Sequence, residues 1–210
     1  MSKRSPEEAL AYFNTVHWTR LWTEASSYEA PKWANPTSWG RDTTNGFFMS
    51  TLNTKETVPH ILLLVRKDLA IPTDTLSNDA SPQTRRTPSV QLDPPDTVFL
   101  LKLGHGGLNG HDGLLHGGMV STLLDHSSGH AVAAHQKDPQ STAATLQLYT
   151  VHMSTSFFGP VRTDERVIAV LSWLIVKTSS KWWTRAQIVD GGGIVLAQTD
   201  ALWIVTKPKM

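Results

Sequence analysis

The chain has 210 residues, 40% hydrophobic and 18% charged, which suits one sizeable domain with an appendage. Nineteen Lys and Arg against eighteen Asp and Glu leave +1 with no block of like charge, which argues against a nucleic-acid binder and a polybasic membrane anchor. Cysteine is absent, which excludes a disulfide scaffold, a Cys-ligated zinc and a cysteine nucleophile. Basic residues near Met1 have no apolar run behind them, and the longest apolar stretches, Ile61 to Val65 among them, are far too short to span a bilayer. A soluble, cytoplasmic protein with neither nucleic-acid nor membrane partners is the expectation.

The first predicted element is a helix over 6–25. Ser5 is placed to cap it, Pro6 takes the first helical position and Glu8 completes a capping box. Leu10, Phe13, His17 and Leu21 recur at helical spacing, with Trp18 and Trp22 widening the stripe. From Tyr28 to Gly40 the pattern dissolves into an irregular loop holding Pro31, Trp33, Pro36 and Trp39. Phe47-Phe48-Met49 with Leu52 reads as a short apolar helix or turn, and Ile61 to Val65 as a buried strand. Residues 70–96 hold five of the 12 prolines and no hydrophobic period, as a linker does. The division expected is an N-terminal extension over 1–69, a Pro-rich linker over 70–96 and a catalytic domain over 97–210.

Val98 to Leu101 is the next strand, and residues 104–118 carry seven of the 14 glycines. Met119 to Ala134 follows with apolar residues on more than one face, so this helix is expected to be buried. Four strands come after it, roughly 143–158, 163–177, 181–190 and 194–206, broken by Gly159-Pro160, Thr178-Ser179-Ser180 and Gly191-Gly192-Gly193. That order predicts an α+β fold in which a curved antiparallel sheet wraps around a long central helix.

The glycines fit neither the P-loop nor the dinucleotide fingerprint. Gly117 and Gly118 open the helix instead, where unshielded N–H groups can meet a substrate carbonyl and stabilise negative charge on it. His126 and His130 are spaced like zinc ligands, but no H-E-x-x-H occurs and no third ligand has conventional spacing, so no metal is expected. Ser127 and Ser128 lack the glycine that a nucleophile elbow needs before them. Asp125 is left: a carboxylate inside an apolar, alanine-rich helix is costly to bury, and reads either as satisfied structurally or as a base or nucleophile.

His116-Gly117-Gly118 followed by Leu123-Leu124-Asp125, with Asp125 nine residues after His116, resembles the hotdog-fold acyl-CoA thioesterases. The run GLNGHDGLLHGGMVSTLLDHSSG is similar to the PaaI-like members, most closely to fungal-type members with an N-terminal extension. Thr150 through Pro160 and Trp182 through Ala197 resemble later strands of that family. The resemblance implies a catalytic carboxylate at Asp125, a polarising N–H at Gly118, a pocket lined by His116, and Thr150 placing the attacking water, usually from across a dimer. Many relatives carry Asn where Gly110 stands, which makes Asn109 its substitute, and His126 replaces an acidic residue often found after the catalytic Asp. Extra Trp in the last strands points to a remodelled acyl pocket.

The function expected is hydrolysis of an acyl thioester on CoA or a carrier protein, with no cofactor beyond the CoA or phosphopantetheine of the substrate. Gly117 and His126 join the substrate-binding set, and Lys181 and Arg185 are the chosen phosphate contacts. Two alternatives stay open. Asp125 and His130 have the D-x-x-x-x-H spacing of a dehydratase, hydratase or cyclase acting on a polyketide-like intermediate, and a non-catalytic acyl-binding module would keep the same fold. An exposed sheet edge predicts a homodimer at least.

Overall fold

The computed structural model describes residues 6–31, 46–69, 94–136, 147–164 and 166–206. Ser5, Trp33, Trp39 and most of the proposed linker, residues 70–93, lie outside them. Among the described residues no helix is long and apolar enough to cross a membrane.

One antiparallel sheet organises the chain, in the order β1-β2-β3-β7-β8-β9-β6. β1 is Tyr28–Glu29, β2 His60–Arg66 and β3 Thr97–Lys102. β6 is Gln147–Phe157, β7 Val167–Lys177, β8 Lys181–Val189 and β9 Val195–Thr206. The long predicted helix is α3, Gly117–Gln136, lying on the inner face of this sheet with Val120, Leu123, Leu124 and Ala131 fully or nearly fully buried. Leu101, Ile168, Val170, Ala186 and Ile188 meet it from the strands. Gly129 allows the closest approach: a Cβ there would stand 3.1 Å from Trp203 Cη2. The resemblance-based expectation of a Trp-remodelled acyl pocket is corrected in part here. Trp182 and Trp203 are buried in the core beside Val132 and Leu174, and the Trp203 indole N–H donates to Thr184 Oγ1 at 3.0 Å.

The extension is built into the same sheet. β2 pairs with β3 along its whole length, from His60 opposite Lys102 to Val65 opposite Thr97. The predicted first helix is real but broken: α1 is Pro6–Thr15, a 3-10 turn spans His17–Thr19, and α2 is Arg20–Thr23. Val16 is extended at the break. Thr15 Oγ1 donates back to Tyr12 O at 2.6 Å, and Thr19 Oγ1 donates to Phe13 O and Val16 O, so hydroxyls compete for carbonyls that a continuous helix would use. These helices cover the outer face. Phe13, Trp22 and Tyr28 pack there on Leu62, Leu64, Val98 and Leu100.

Other boundaries shift for identifiable reasons. Tyr28–Glu29, expected in a loop, pairs with Arg66 and Val65. Phe47–Thr51 is a π-helical turn whose Phe48 and Leu52 join the core beside α3. The Gly-rich stretch contains a small hairpin, β4 Asn109–His111 with β5 Leu114–Leu115, and Gly113 turns it at φ +65°. Asp96, expected at the end of the linker, is buried in the domain.

Candidate active site

α3 starts immediately after His116, and His116 organises its first turn. Its carbonyl accepts the N–H groups of Met119 and Val120 at 2.8 and 3.0 Å, and its ring Nδ1 accepts the N–H of Gly118 at 2.9 Å. An accepting Nδ1 puts the proton of the neutral ring on Nε2. Gly110 lies under this ring, where a Cβ would stand 3.0 Å from His116 Cδ2, so any side chain there would displace the ring. Phe157, at the end of β6, covers Gly117: its ring carbons lie 3.8 and 3.9 Å from where a Cβ would be. The polarising N–H expected at Gly118 is therefore present at an exposed helix end, and the His116 ring occupies it.

Asp125 sits two turns further along α3, part-buried, and Thr150 Oγ1 donates to its Oδ1 at 2.8 Å. β6 runs beside α3 in the opposite sense, bringing Thr150 near Asp125 and Phe157 near Gly117. The register of β6 against β9 shifts between Thr150 and His152, leaving Val151 as an extra residue next to Thr150. A bulge of this kind re-aims the neighbouring side chain. Burial pushes the Asp125 carboxyl above its ordinary range, and the Thr150 hydrogen bond partly opposes that. Thr150 and Asp125 are hydrogen-bonded within one chain.

His126 turns the other way. Its ring stacks on Phe48 at 3.5 Å between centroids and 8° between planes, and its Nε2 lies 3.1 Å from His130 Nε2. Burial, and then the His130 charge, hold its pKa well below 6.5, so His126 is a neutral ring at physiological pH. Asp125 thus bonds to Thr150 while His126 and His130 bond to each other, and neither D-H pairing considered from the sequence is made.

The remaining candidates are dispersed. Asn109 Oδ1 accepts from Thr163 Oγ1 at 2.5 Å, tying the β4–β5 hairpin to the chain before β7. Arg185 is buried and gives two hydrogen bonds to Asp200, 2.7 and 3.0 Å, so its charge is already matched. Lys181 begins β8 at the end opposite Val189, beside the β7–β8 turn where Thr178 Oγ1 accepts its N–H. The structure brings neither cation to the start of α3. Phe157 was missed by the sequence reading; an exposed aromatic at a strand end carries no signal until its neighbour is known.

Residues 112–191 match the family model described as the thioesterase superfamily. Solved structures with similar folds include a Bacillus halodurans protein with CoA, 17% identical over 51% of this chain and 66% of that one, TM-score 0.42. The chain thus spans just under two thirds of that protein's length. The Escherichia coli PaaI protein of the phenylacetic acid degradation operon is 15% identical over 54% of this chain and 74% of its own, TM-score 0.46. A hypothetical thioesterase from Streptococcus pneumoniae, solved with coenzyme A, is 19% identical over 54% and 80%, TM-score 0.46. No curated protein matches the chain. The matched segment, less than half of the chain, takes in all of α3 with Asp125 and Thr150 and is similar to the thioesterase superfamily, and the antiparallel sheet laid on the long α3 has the hotdog arrangement.

Proposed function

We propose that the protein hydrolyses acyl thioesters of CoA or of a carrier protein, as a homodimer, with Asp125 as the group that attacks the carbonyl carbon or draws the proton from an attacking water. The hydrogen bond from Thr150 to Asp125 carries this reading. A carboxylate whose affinity for protons is raised by burial is a better base than one in water, and a hydroxyl held 2.8 Å from it fixes one lone pair and leaves the other oxygen for the reaction. In the water route a C–O bond forms as Asp125 takes the proton. The carbonyl oxygen becomes an oxyanion, and collapse breaks the C–S bond as the proton passes to the leaving thiolate. The Gly118 N–H at the start of α3 is the donor for that oxyanion, released when the carbonyl displaces the His116 ring. His116, Gly117 and Phe157 line the approach.

Asp125→Asn keeps the shape and the acceptor for Thr150 while removing the charge. Thiol release from a panel of acyl-CoA and acyl-carrier substrates is expected to fall at least ~10²-fold in kcat, with KM changed far less. Near-normal turnover by the folded variant would make the carboxylate structural and end the proposal.

A further inference from the structure

A thioester brought to Asp125 carries two groups on its carbonyl carbon. The thiol end, long and polar in CoA or a carrier arm, keeps to solvent, so the acyl group is the one turned inward, between α3 and β6. Thr150 is exposed and Asp125 part-buried, so the hydrogen bond between them stands at the mouth of that crevice. Trp203 lies beneath it. In the pairing of β6 with β9, Trp203 is the residue directly opposite Thr150, and such partners put their side chains on one face of the sheet. Gly129 is one turn beyond Asp125, on the same side of α3. A Cβ on Gly129 would stand 3.1 Å from Trp203 Cη2, at the far edge of the indole. The ring thus reaches from β9 to α3 across the floor of the crevice, beside the two groups of the site.

The indole is held in that place. Its N–H donates to Thr184 Oγ1 at 3.0 Å, and Thr184 is buried, so turning the ring aside would strand both polar groups. On its other side Trp182 of β8 stands directly opposite. The helix makes way for the ring: glycine is a poor residue in a helix interior, and at 129 any side chain would press on the indole. Around Trp203 lies a buried apolar cluster of Val132, Leu174, Trp182, Ala201 and Val205, with Leu148 of β6 packed against it. A long alkyl tail would favour such surroundings. Trp203, 5% exposed, is the member of that cluster that pairs with Thr150 and presses on α3 one turn from Asp125.

We infer that Trp203 sets the depth of the acyl site and restricts it to acyl groups of a few carbons, because a longer tail meets the indole edge. The inference rests on the thioesterase reading and narrows it on the acyl side, whichever thiol carries the group. Trp203 is a specificity-determining residue in this account and takes no part in bond making or proton transfer.

The test compares butanoyl and octanoyl thioesters, each on CoA and on N-acetylcysteamine, with the full chain. The unmodified protein is expected to show kcat/KM at least ~10-fold higher for butanoyl than for octanoyl. Trp203→Ala is expected to raise the octanoyl-to-butanoyl ratio at least ~10-fold, whereas a general loss of structure would lower both substrates alike. Trp203→Phe keeps an aromatic ring in the core and removes only its far edge; an intermediate ratio is expected, and this variant carries the test if the alanine protein does not fold. Equal kcat/KM for the two chains in the unmodified protein, or an unchanged ratio in a folded variant, overturns the inference and leaves thioester hydrolysis standing. If no thioester is hydrolysed, the thioesterase reading fails, and calorimetric titration with the non-hydrolysable S-butyl-CoA and S-octyl-CoA decides the matter. The inference then requires tighter binding of the butyl compound by the unmodified protein and loss of that preference in Trp203→Phe; any other result, no binding included, overturns it.

Discussion

Asp125 is pulled in two directions, and the sign of each pull is testable. Burial raises its pKa from 3.8 and the Thr150 hydroxyl lowers it. Only the carboxylate can attack or accept a proton, so the acid limb of the kcat/KM profile is expected above the ordinary carboxylate range. Thr150→Val removes the group that lowers the pKa, so the limb is expected to move to still higher pH; a shift to lower pH would contradict the assignment. The same raised pKa bears on stability. An unfolded Asp releases its proton at lower pH than the native one, so stability present below the unfolded value is lost as pH rises through the folded value. At neutral pH Asp125→Asn, the inactive variant, is therefore expected to melt at a higher temperature than the unmodified protein, as calorimetry at pH 7 would show. His126 works with the opposite sign: its lowered pKa costs stability as pH falls below 6.5, because the unfolded ring gains a proton that the ring stacked on Phe48 refuses. Asp125 was legible as a carboxylate in an alanine-rich helix. The part played by Thr150 was legible only through resemblance, since the bulge at Val151 that turns it inward leaves no mark in the sequence.

Four elements are joined by one buried group. Asp96, just before β3, accepts from Arg66 of β2 at 2.8 Å, pairs with His135 of α3 at 2.9 Å and accepts the N–H of Leu174 in β7 at 2.8 Å. Its side chain is 5% exposed and that of His135 only 2%. Asp96→Ala leaves a guanidinium, an imidazole and a backbone N–H without their acceptor, and is expected to cost about 3–5 kcal/mol in urea unfolding. A loss under about 1 kcal/mol would mean water replaces the carboxylate. This joint was invisible in the sequence, because Asp96 follows Pro94-Pro95 and reads there as linker. The elements themselves were far more legible. β7, β8 and β9 lie within a few residues of the predicted spans because apolar runs, alternating only in β9, stand between Gly, Ser and Thr breaks that are plain in the sequence. The long α3 was legible from its apolar breadth, but the break at Val16 was not, since hydroxyl-to-carbonyl bonds decide it locally. The glycines at 104 and 107 mark contact instead of phosphate binding: both donate to the backbone of the extension, Gly104 to Thr57 O at 2.7 Å and Gly107 to Glu56 O at 2.9 Å.

At the scale of the molecule the two sheet edges are unequal. β1 is two residues long, whereas β6 runs for 11 with β9 as its only neighbouring strand among the described residues. Tyr149, Val151 and Phe157 on β6 are each about half exposed or more. An edge of that length bearing large apolar side chains is a template for pairing, and the proposed homodimer uses it. Tyr149→Lys/Val151→Lys sets four positive charges near the two-fold axis, so sedimentation is expected to show the parent as a dimer and this variant as a monomer. A variant that remains dimeric would move the interface elsewhere. Whether a dimer shares its sites is a separate matter, on which the Thr150–Asp125 hydrogen bond within one chain supports unshared sites. Consider Asp125→Asn and Thr150→Val proteins, each impaired, mixed and allowed to exchange subunits. If each site drew Asp125 and Thr150 from different chains, every mixed dimer would regain one intact site, and random exchange would restore about a quarter of the parent activity. With both groups in one chain, each subunit of a mixed dimer still lacks one of them. No recovery beyond the average of the two starting proteins is expected, and recovery to a quarter would show that the working carboxylate takes its hydroxyl from the partner.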